Sequence, residues 1–313
     1  MRFERLGRLF SVQRYRSCRS LFRAPLAAHL RLAGLGKGPI VLEDRAGGRV
    51  TCPSYRTVRR LWQFVLERPE GVALEDGCVV LPLEGGARVF VRPDNSDFGV
   101  FEEVFLNDAY GLDGARDLGD VVDLGGNVGL FTARAARVAR RVVMVEPVPA
   151  NLEVARRNIA GSGAGDRVTV VPGVVTATTG ERVRLHLSEI AGMHSTRADV
   201  AQAYAGTSGA LDVEGVSLGD LFARHGIERC ALLKCDIEGA EHEVLAATPL
   251  DVLARIDRLV MEVHFTPRDG DAGARLVARL EEAGLATEVT EGTLDAPADG
   301  LSVALLRAAR RAG

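Results

Sequence analysis

The sequence predicts an α/β fold, a mostly parallel sheet with helices on both faces, and two observations carry that prediction. From about residue 120 onward, short runs rich in Val, Leu and Met alternate with stretches of helical periodicity, as strands joined by crossover helices do. The first of these runs, Val121-Val122-Asp123-Leu124, leads into Gly125-Gly126-Asn127-Val128-Gly129, a glycine turn that opens a helix at a strand's carboxyl end.

Strands are expected at 120–124, 141–145, 167–171, 230–235, 257–263, 285–290 and 301–306, with helices at 129–139, 149–160, 218–225, 239–247 and 272–283. Ser217 is placed to cap the 218–225 helix. Upstream, 78–83 and 88–92 form two strands joined by Glu84-Gly85-Gly86-Ala87, and a short helix then carries Phe101, Val104 and Phe105 on one face. The first 70 or so residues are expected to be helical. Leu6, Leu9, Phe10, Val12, Leu21 and Phe22 make a narrow apolar stripe among arginines, the glycines of 34–38 with Pro39 break it, and a second helix at 59–66 holds the only tryptophan, Trp62. The domain boundary is expected at 75/76: a basic helical extension, then one domain that includes the 78–92 hairpin. The long stretch 188–212 has no clear period and is expected to be an irregular substrate lid.

Composition narrows the class. With 313 residues, 47% hydrophobic and 26% charged, the chain has enough apolar side chain for one large α/β unit or two domains, which excludes wholesale disorder. No 18-residue apolar window exists, so no membrane span is expected. A net charge of −3 argues against a nucleic-acid partner. The charge is uneven: residues 1–31 hold eight Arg against Glu4, a net +7 that leaves −10 for the rest. That segment is expected to be a solvated helix over the main domain or a contact in a homodimer; an interfacial or phosphate-binding helix is the sharper alternative. Only Lys37 and Lys234 among the 39 basic residues are lysine, a bias expected of a GC-rich bacterial genome. Five cysteines without a C-x-x-C pair predict neither a disulfide framework nor a zinc site. Arg14, Arg16, Arg19 and Arg23 interrupt any signal-peptide core, so a cytoplasmic location is expected.

The glycine turn lacks the dinucleotide pattern, because the second and third glycine positions after Gly125 hold Asn127 and Leu130. Asp123 would repel a diphosphate and suits a cationic ligand, an ammonium or a sulfonium. The next strand ends Val145-Glu146-Pro147, which places a carboxylate where it can accept from ribose hydroxyls or cap the helix that follows. Acid, glycine turn and second acid together describe an S-adenosylmethionine site better than a nicotinamide one.

A second block, Leu232-Leu233-Lys234-Cys235-Asp236-Ile237-Glu238-Gly239-Ala240-Glu241, delivers Asp236 and Glu238 to the same sheet edge, and Leu259-Val260-Met261-Glu262-Val263-His264 brings two more polar groups there. The structural alternative is helix capping plus an ion pair from Lys234. Three carboxylates would suit a hard metal, but nothing in the spacing demands one, and no metal is expected.

These blocks together resemble the FkbM family of S-adenosylmethionine-dependent methyltransferases. The resemblance rests on VVDLGGNVGLFT (121–132), VVMVEP (142–147), SLGDL (217–221), LLKCDIEGAEHEVL (232–245) and LVMEVH (259–264), and more weakly on DNSDFGVFEEVF (94–105) with Tyr110. It covers roughly residues 90–265; Cys235 departs from the family's usual aliphatic residue. It implies a class I methyltransferase fold, Rossmann-like and seven-stranded with the last strand antiparallel, and methyl transfer to a hydroxyl of a secondary metabolite such as a polyketide or sugar. By position it implies Asp123, Gly125, Asn127 and Gly129 on the methionine part and Glu146 on the ribose. In-line transfer to a hydroxyl calls for a nearby base, expected in Asp236 or His264, with Glu238 and Glu262 orienting the acceptor. His194 and Ser195 are the candidate substrate-binding pair and His242 is expected to be structural. The alternatives are an N-methyltransferase, a nicotinamide oxidoreductase and a non-catalytic S-adenosylmethionine-binding protein.

Overall fold

The computed structural model describes residues 11–93, 96–188, 192–204 and 207–311; Leu6, Leu9 and Phe10 of the basic segment, Asp94 and Asn95, and parts of the 188–212 stretch lie outside them. The chain divides into two compact units, one ending at Leu106 and one beginning at Asn107. This differs from the boundary expected at 75/76. The 78–92 hairpin pairs with an upstream strand and belongs to the first unit.

In the first unit, α1 (Val12–Leu21) is capped by Ser11, and α2 (Pro25–Leu32) begins on a proline that suits the first turn. Helix α3 (Tyr55–Glu67) buries Val58, Leu61, Trp62, Val65 and Leu66, which share one face at the 3.6-residue period. Trp62 meets Phe22 edge-on at 5.7 Å, the link that ties α3 to the end of α1. The helical reading of this region is incomplete: β1 (Ile40–Glu43) and β2 (Arg49–Cys52) form an antiparallel hairpin. Its turn is organised by the buried Asp44, whose carboxylate accepts from Gly48 N and from Leu74 N, both at 2.8 Å. Leu74 lies in β3 (Ala73–Glu75), which heads a three-stranded sheet with β4 (Cys78–Pro82) and β5 (Arg88–Val91). A short α4 (Asp97–Phe101) follows, with Phe98, Phe101 and Phe105 stacked in series.

The second unit is built on a seven-stranded sheet: β6 (Leu118–Leu124), β7 (Ala139–Glu146), β8 (Val168–Pro172), β12 (Cys230–Cys235), β13 (Arg258–Phe265), β14 (Leu285–Glu291) and β15 (Ser302–Arg310). Their spatial order is 14-15-13-12-6-7-8, and only β15 runs against its neighbours. This is the class I methyltransferase arrangement, with the α/β alternation in the expected places. Helices α5 (Leu130–Ala135) and α6 (Pro149–Gly161) connect β6 to β7 to β8. Helices α8 (Leu218–Arg224), α9 (Glu241–Ala247), α10 (Leu250–Leu253) and α11 (Ala272–Glu282) accompany the other half. One core layer gathers Leu221, Phe222, Leu245, Leu253 and Leu280 against Leu124, Leu233 and Met261; Met144, Ala155 and Ile159 pack separately.

The expected irregular lid is corrected by the structure. Between β8 and α8 lies a small second sheet of β9 (Val174–Val175), β10 (Arg182–Ser188) and β11 (Thr207–Val216), with α7 (Ala198–Tyr204) between its long strands. The antiparallel ladder from Arg182↔Glu214 to Leu187↔Gly209 leaves only the middle of the stretch without strand. Arg182–Ser188 alternates polar and apolar residues, a period-two signal that lies just upstream of the stretch expected to be irregular. The first strand pair that matters for the site is β6 beside β12, where the chain order reverses; the crevice outside their carboxyl ends is where such sheets bind ligands.

Candidate active site

Register places the first acid of the glycine motif beside the lysine of the second block: Lys234 pairs with Asp123 and Cys235 with Leu124. Side chains of equal parity share a face, so Asp123 and Lys234 meet on one side of the sheet. Lys234 Nζ lies 3.4 Å from Asp123 and 3.5 Å from Asp236, and donates to the Gly125 carbonyl at 2.7 Å. Thr132 Oγ1 donates to Asp123 Oδ2 at 2.5 Å. Asp123 is wholly buried; burial pushes its carboxyl up, opposed by the Lys234 charge and the Thr132 hydroxyl. Burial also works against the Lys234 charge, but the Asp123 and Asp236 carboxylates outweigh it and hold the ammonium protonated well above its ordinary range. Asp123 thus sits behind the turn and supports it, a different position from the ligand contact expected of it.

Gly125 must be glycine for two reasons. Its φ of +78° is left-handed, and a Cβ there would lie 1.7 Å from the Asp236 carbonyl oxygen. The turn after β6 therefore presses directly on the loop after β12. Asn127 takes a φ of +48°, and its N–H donates to Glu146 Oε2 at 2.9 Å. Glu146 Oε1 accepts from Val148 N at 2.9 Å and Asn151 Nδ2 at 3.2 Å, so this carboxylate both holds the glycine turn and caps α6. Burial pushes its carboxyl up, offset by those three donors and by Lys234.

A cleft opens over these groups at the carboxyl ends of β6, β7 and β12. Gly125, Asn127, Glu146, His194, Asp236 and Glu238 line it, with Leu185, Val174 and Val175 of the small sheet as an apolar wall. Of the other expected site residues, Asp123, Gly129, Ser195, Glu262 and His264 do not line it. Gly129, at φ +72°, starts α5 and packs against Ala155. Ser195 is fully buried, and its Oγ donates to the Glu238 carbonyl and accepts from Arg197 N, which makes it a tie between segments and not a substrate contact. His194 Nδ1 accepts from Ser188 N at 3.0 Å, so the neutral ring carries its proton on Nε2 and offers a donor, not a base.

His264 corrects a further expectation. Its ring is 1% exposed, with Nδ1 3.1 Å from Glu241 Oε1 and Nε2 3.3 Å from Glu238 Oε2. Burial alone would discharge it, but Glu241, Glu238 and Asp236 outweigh burial and push its pKa up to about 10. A ring that keeps its proton at neutral pH is an imidazolium clamp and not a general base. Asp236, Glu262 and His264 each bring a ligand-capable atom within 4.8 Å of the others, yet both ring nitrogens of His264 already face carboxylates. His242 Nε2 donates to the His264 carbonyl at 3.0 Å, the structural role expected. Asp236 is left as the acid that faces the cleft with a buried oxygen, Oδ1, lacking a hydrogen-bond partner among the described residues.

Sequence reasoning did not select Lys234 or Glu241 as site residues. Lys234 had a usable signal: it is one of two lysines in an arginine-rich chain and lies inside an apolar strand.

Fold and site together define a class I methyltransferase domain, with the ligand crevice at the switch point between β6 and β12. Residues 123–285, just over half of the chain, match the methyltransferase FkbM domain, and the chain belongs to that family. It is 28% identical over 264 residues to 31-O-demethyl-FK506 methyltransferase FkbM of Streptomyces tacrolimicus, covering 75% of this chain and all of that protein. It is 29% identical over 255 residues to AMB antimetabolite synthetase AmbE of Pseudomonas aeruginosa, covering 69% of this chain but only 12% of that much longer protein. Among solved structures it is similar to a methyltransferase FkbM from Methylobacillus flagellatus, with 15% identity, a TM-score of 0.39 and coverage of 62% of this chain and 43% of that one. No helix among the described residues is long and apolar enough to cross a membrane.

Proposed function

We propose that this chain is an S-adenosylmethionine-dependent O-methyltransferase that acts on a hydroxyl of a small secondary metabolite, a polyketide or a sugar moiety. The observation that carries the reading is the buried, unpartnered Oδ1 of Asp236 on the cleft, beside the glycine turn. The residues fit the cofactor: Gly125 and Asn127 of the glycine turn line the cleft, and Asn127 Oδ1 is buried without a hydrogen-bond partner among the described residues. When bound, S-adenosylmethionine supplies an electrophilic methyl group on a sulfonium.

This chain's own residues do the rest. Glu146 Oε1 already accepts two hydrogen bonds and Oε2 one, so Oε2 keeps a lone pair for a ribose hydroxyl. Asp236 takes the acceptor's proton as the new C–O bond forms, a role worth about 10²–10⁴ in rate. The Lys234 ammonium, 3.5 Å from Asp236 Oδ2, holds that carboxylate at the cleft, while Glu238 and Glu262 orient the acceptor and His194 donates to it. The printed name of the Streptomyces relative, an O-demethyl compound's methyltransferase, supports an oxygen acceptor. The five cysteines, all buried, suit a reducing cytoplasm.

Calorimetric titration with S-adenosylmethionine, S-adenosylhomocysteine and NAD tests the cofactor. Micromolar binding of both adenosyl ligands, none of NAD, and at least about tenfold weaker binding by Glu146→Ala are expected, the lost charged-acceptor bond being worth about 1.5–3 kcal/mol. Absence of adenosyl binding in the wild-type chain overturns the reading.

A further inference from the structure

Glu241 is heavily engaged beside the cleft, although it does not line it. It is wholly buried, and Oε1 accepts from Ile237 N and Gly239 N, both at 3.1 Å, while Oε2 accepts from Gly239 N at 3.0 Å. Oε1 also faces His264 Nδ1 at 3.1 Å. Burial would raise its carboxyl, but the His264 charge and these donors hold it below the usual range. The loop that it grips contains Glu238, a non-glycine residue at φ +55°, a conformation that persists only where its surroundings enforce it. The opposite nitrogen of His264 faces Glu238 Oε2 at 3.3 Å. A carboxylate outside the cleft is thus joined, through backbone N–H groups and an imidazolium, to the two carboxylates on it.

We propose that Glu241 is a positioning residue for methyl transfer: it holds the 236–239 loop and, through His264, the Glu238 carboxylate in the orientation that the cleft requires. This rests on the cleft being the cofactor site. The groups facing His264 are Glu241 and His242 on α9, Asp236 and Glu238 on the loop after β12, and Glu262 on its own strand. If Glu241 acts through the clamp, the shape of the cleft depends on the His264 proton, and removing the Glu241 charge releases that proton at lower pH.

The test uses the full chain with ring-labelled histidine, wild type and Glu241→Gln, followed by NMR and by S-adenosylhomocysteine calorimetry from about pH 6 to 11, with His264→Gln to assign the resonance. In the wild type, affinity is expected to hold steady and then fall as His264 deprotonates near pH 10. In Glu241→Gln both midpoints are expected to fall together by at least about one unit, which lowers affinity at least about twofold at pH 9 and about tenfold by pH 11. A wild-type His264 that titrates near its ordinary value of about 6.5 overturns the proposal, as does a Glu241→Gln loss of affinity that is equal at every pH. If Glu241→Gln does not fold, the wild-type curves decide: ring titration and affinity loss must coincide. A wild type that binds no S-adenosylhomocysteine at any pH refutes the proposed function, while the ring titrations of wild type and variant still decide whether Glu241 holds the His264 proton.

Discussion

Lys234→Met removes the cation that faces Asp123 and Asp236 at the centre of the site. In the native chain Lys234 answers Asp123 at 3.4 Å and Asp236 at 3.5 Å and donates to the Gly125 carbonyl. Methionine fills most of the volume but leaves Asp123, with no exposed surface, holding only the Thr132 hydroxyl. Breaking a buried pair by removing one partner costs about 3–5 kcal/mol, against a total stability of about 5–15 for a domain. Asp236 is less affected, since its side chain is 23% exposed and water can reach it. The sign with pH follows from Asp123. Without the ammonium its folded pKa rises further above its unfolded value of about 3.9, so the penalty is full at high pH and fades as the pH falls and the carboxyl takes up a proton. Urea unfolding followed by circular dichroism at pH 7.5 and pH 5 is expected to show a deficit of about 3–5 kcal/mol that narrows at the lower pH. Adding Asp123→Asn to the variant removes the stranded charge and is expected to restore most of the loss, a strongly non-additive pair. A deficit below about 1 kcal/mol, a deficit unchanged with pH, or additivity would refute this account of the centre.

Two further changes bear on the cleft itself. Gly125→Ala puts a Cβ 1.7 Å from the Asp236 carbonyl at a φ of +78°, so the strand-end loops must part. The conformation alone costs about 1–2 kcal/mol, and thermal melting with S-adenosylhomocysteine calorimetry is expected to show a lower Tm and at least about tenfold weaker binding. Asp236→Asn keeps the shape but removes the proposed proton acceptor. With any hydroxylated acceptor that the wild type turns over, kcat is expected to fall about 10²–10⁴-fold while S-adenosylhomocysteine affinity stays within a few-fold. Equal losses in both would make Asp236 a cofactor contact and not the base.

The centre of the large sheet was legible because β6, β7 and β12 are buried on both faces along most of their length and read as nearly continuous apolar runs. Val121–Leu124, Val142–Val145 and Leu232–Cys235 need no partner to be recognised. The small sheet was missed although part of it was legible: Arg182-Val183-Arg184-Leu185-His186-Leu187 alternates at period two, whereas β11 opens on the exposed Thr207-Ser208-Gly209, and its pairing with β10 is set by contacts made in the fold. The β1–β2 hairpin escaped for a third reason. Four-residue strands give too short a sample of period two, and the group that shapes their turn, the Asp44 carboxylate, takes one of its donors from Leu74, 30 residues away. Where structure is decided by burial of a segment's own side chains, the sequence declares it; where a distant partner decides it, local pattern is silent.

The same division runs through the site. Strand ends told which residues reach the rim, and Asp236, Glu238, Glu146 and Asn127 are indeed on the cleft. What spacing does not encode is how charges are paired across strands. Asp123 and Lys234 are 111 positions apart in the sequence and side by side in register, so a ligand acid became a support for the turn. His264 and Glu241 are likewise brought together from separate elements, and the contact turns a candidate base into a held cation. An isolated histidine is expected to titrate near 6.5; a histidine with a carboxylate at each nitrogen is not, and nothing within its own strand announces both carboxylates. The chemistry of this rim therefore depends on alternation of sign, Asp123 to Lys234 to Asp236 and Glu241 to His264 to Glu238, with each cation placed between two acids. With Lys234 and His264 both committed in this way, the proposed proton acceptor is Asp236, whose buried Oδ1 has no hydrogen-bond partner among the described residues.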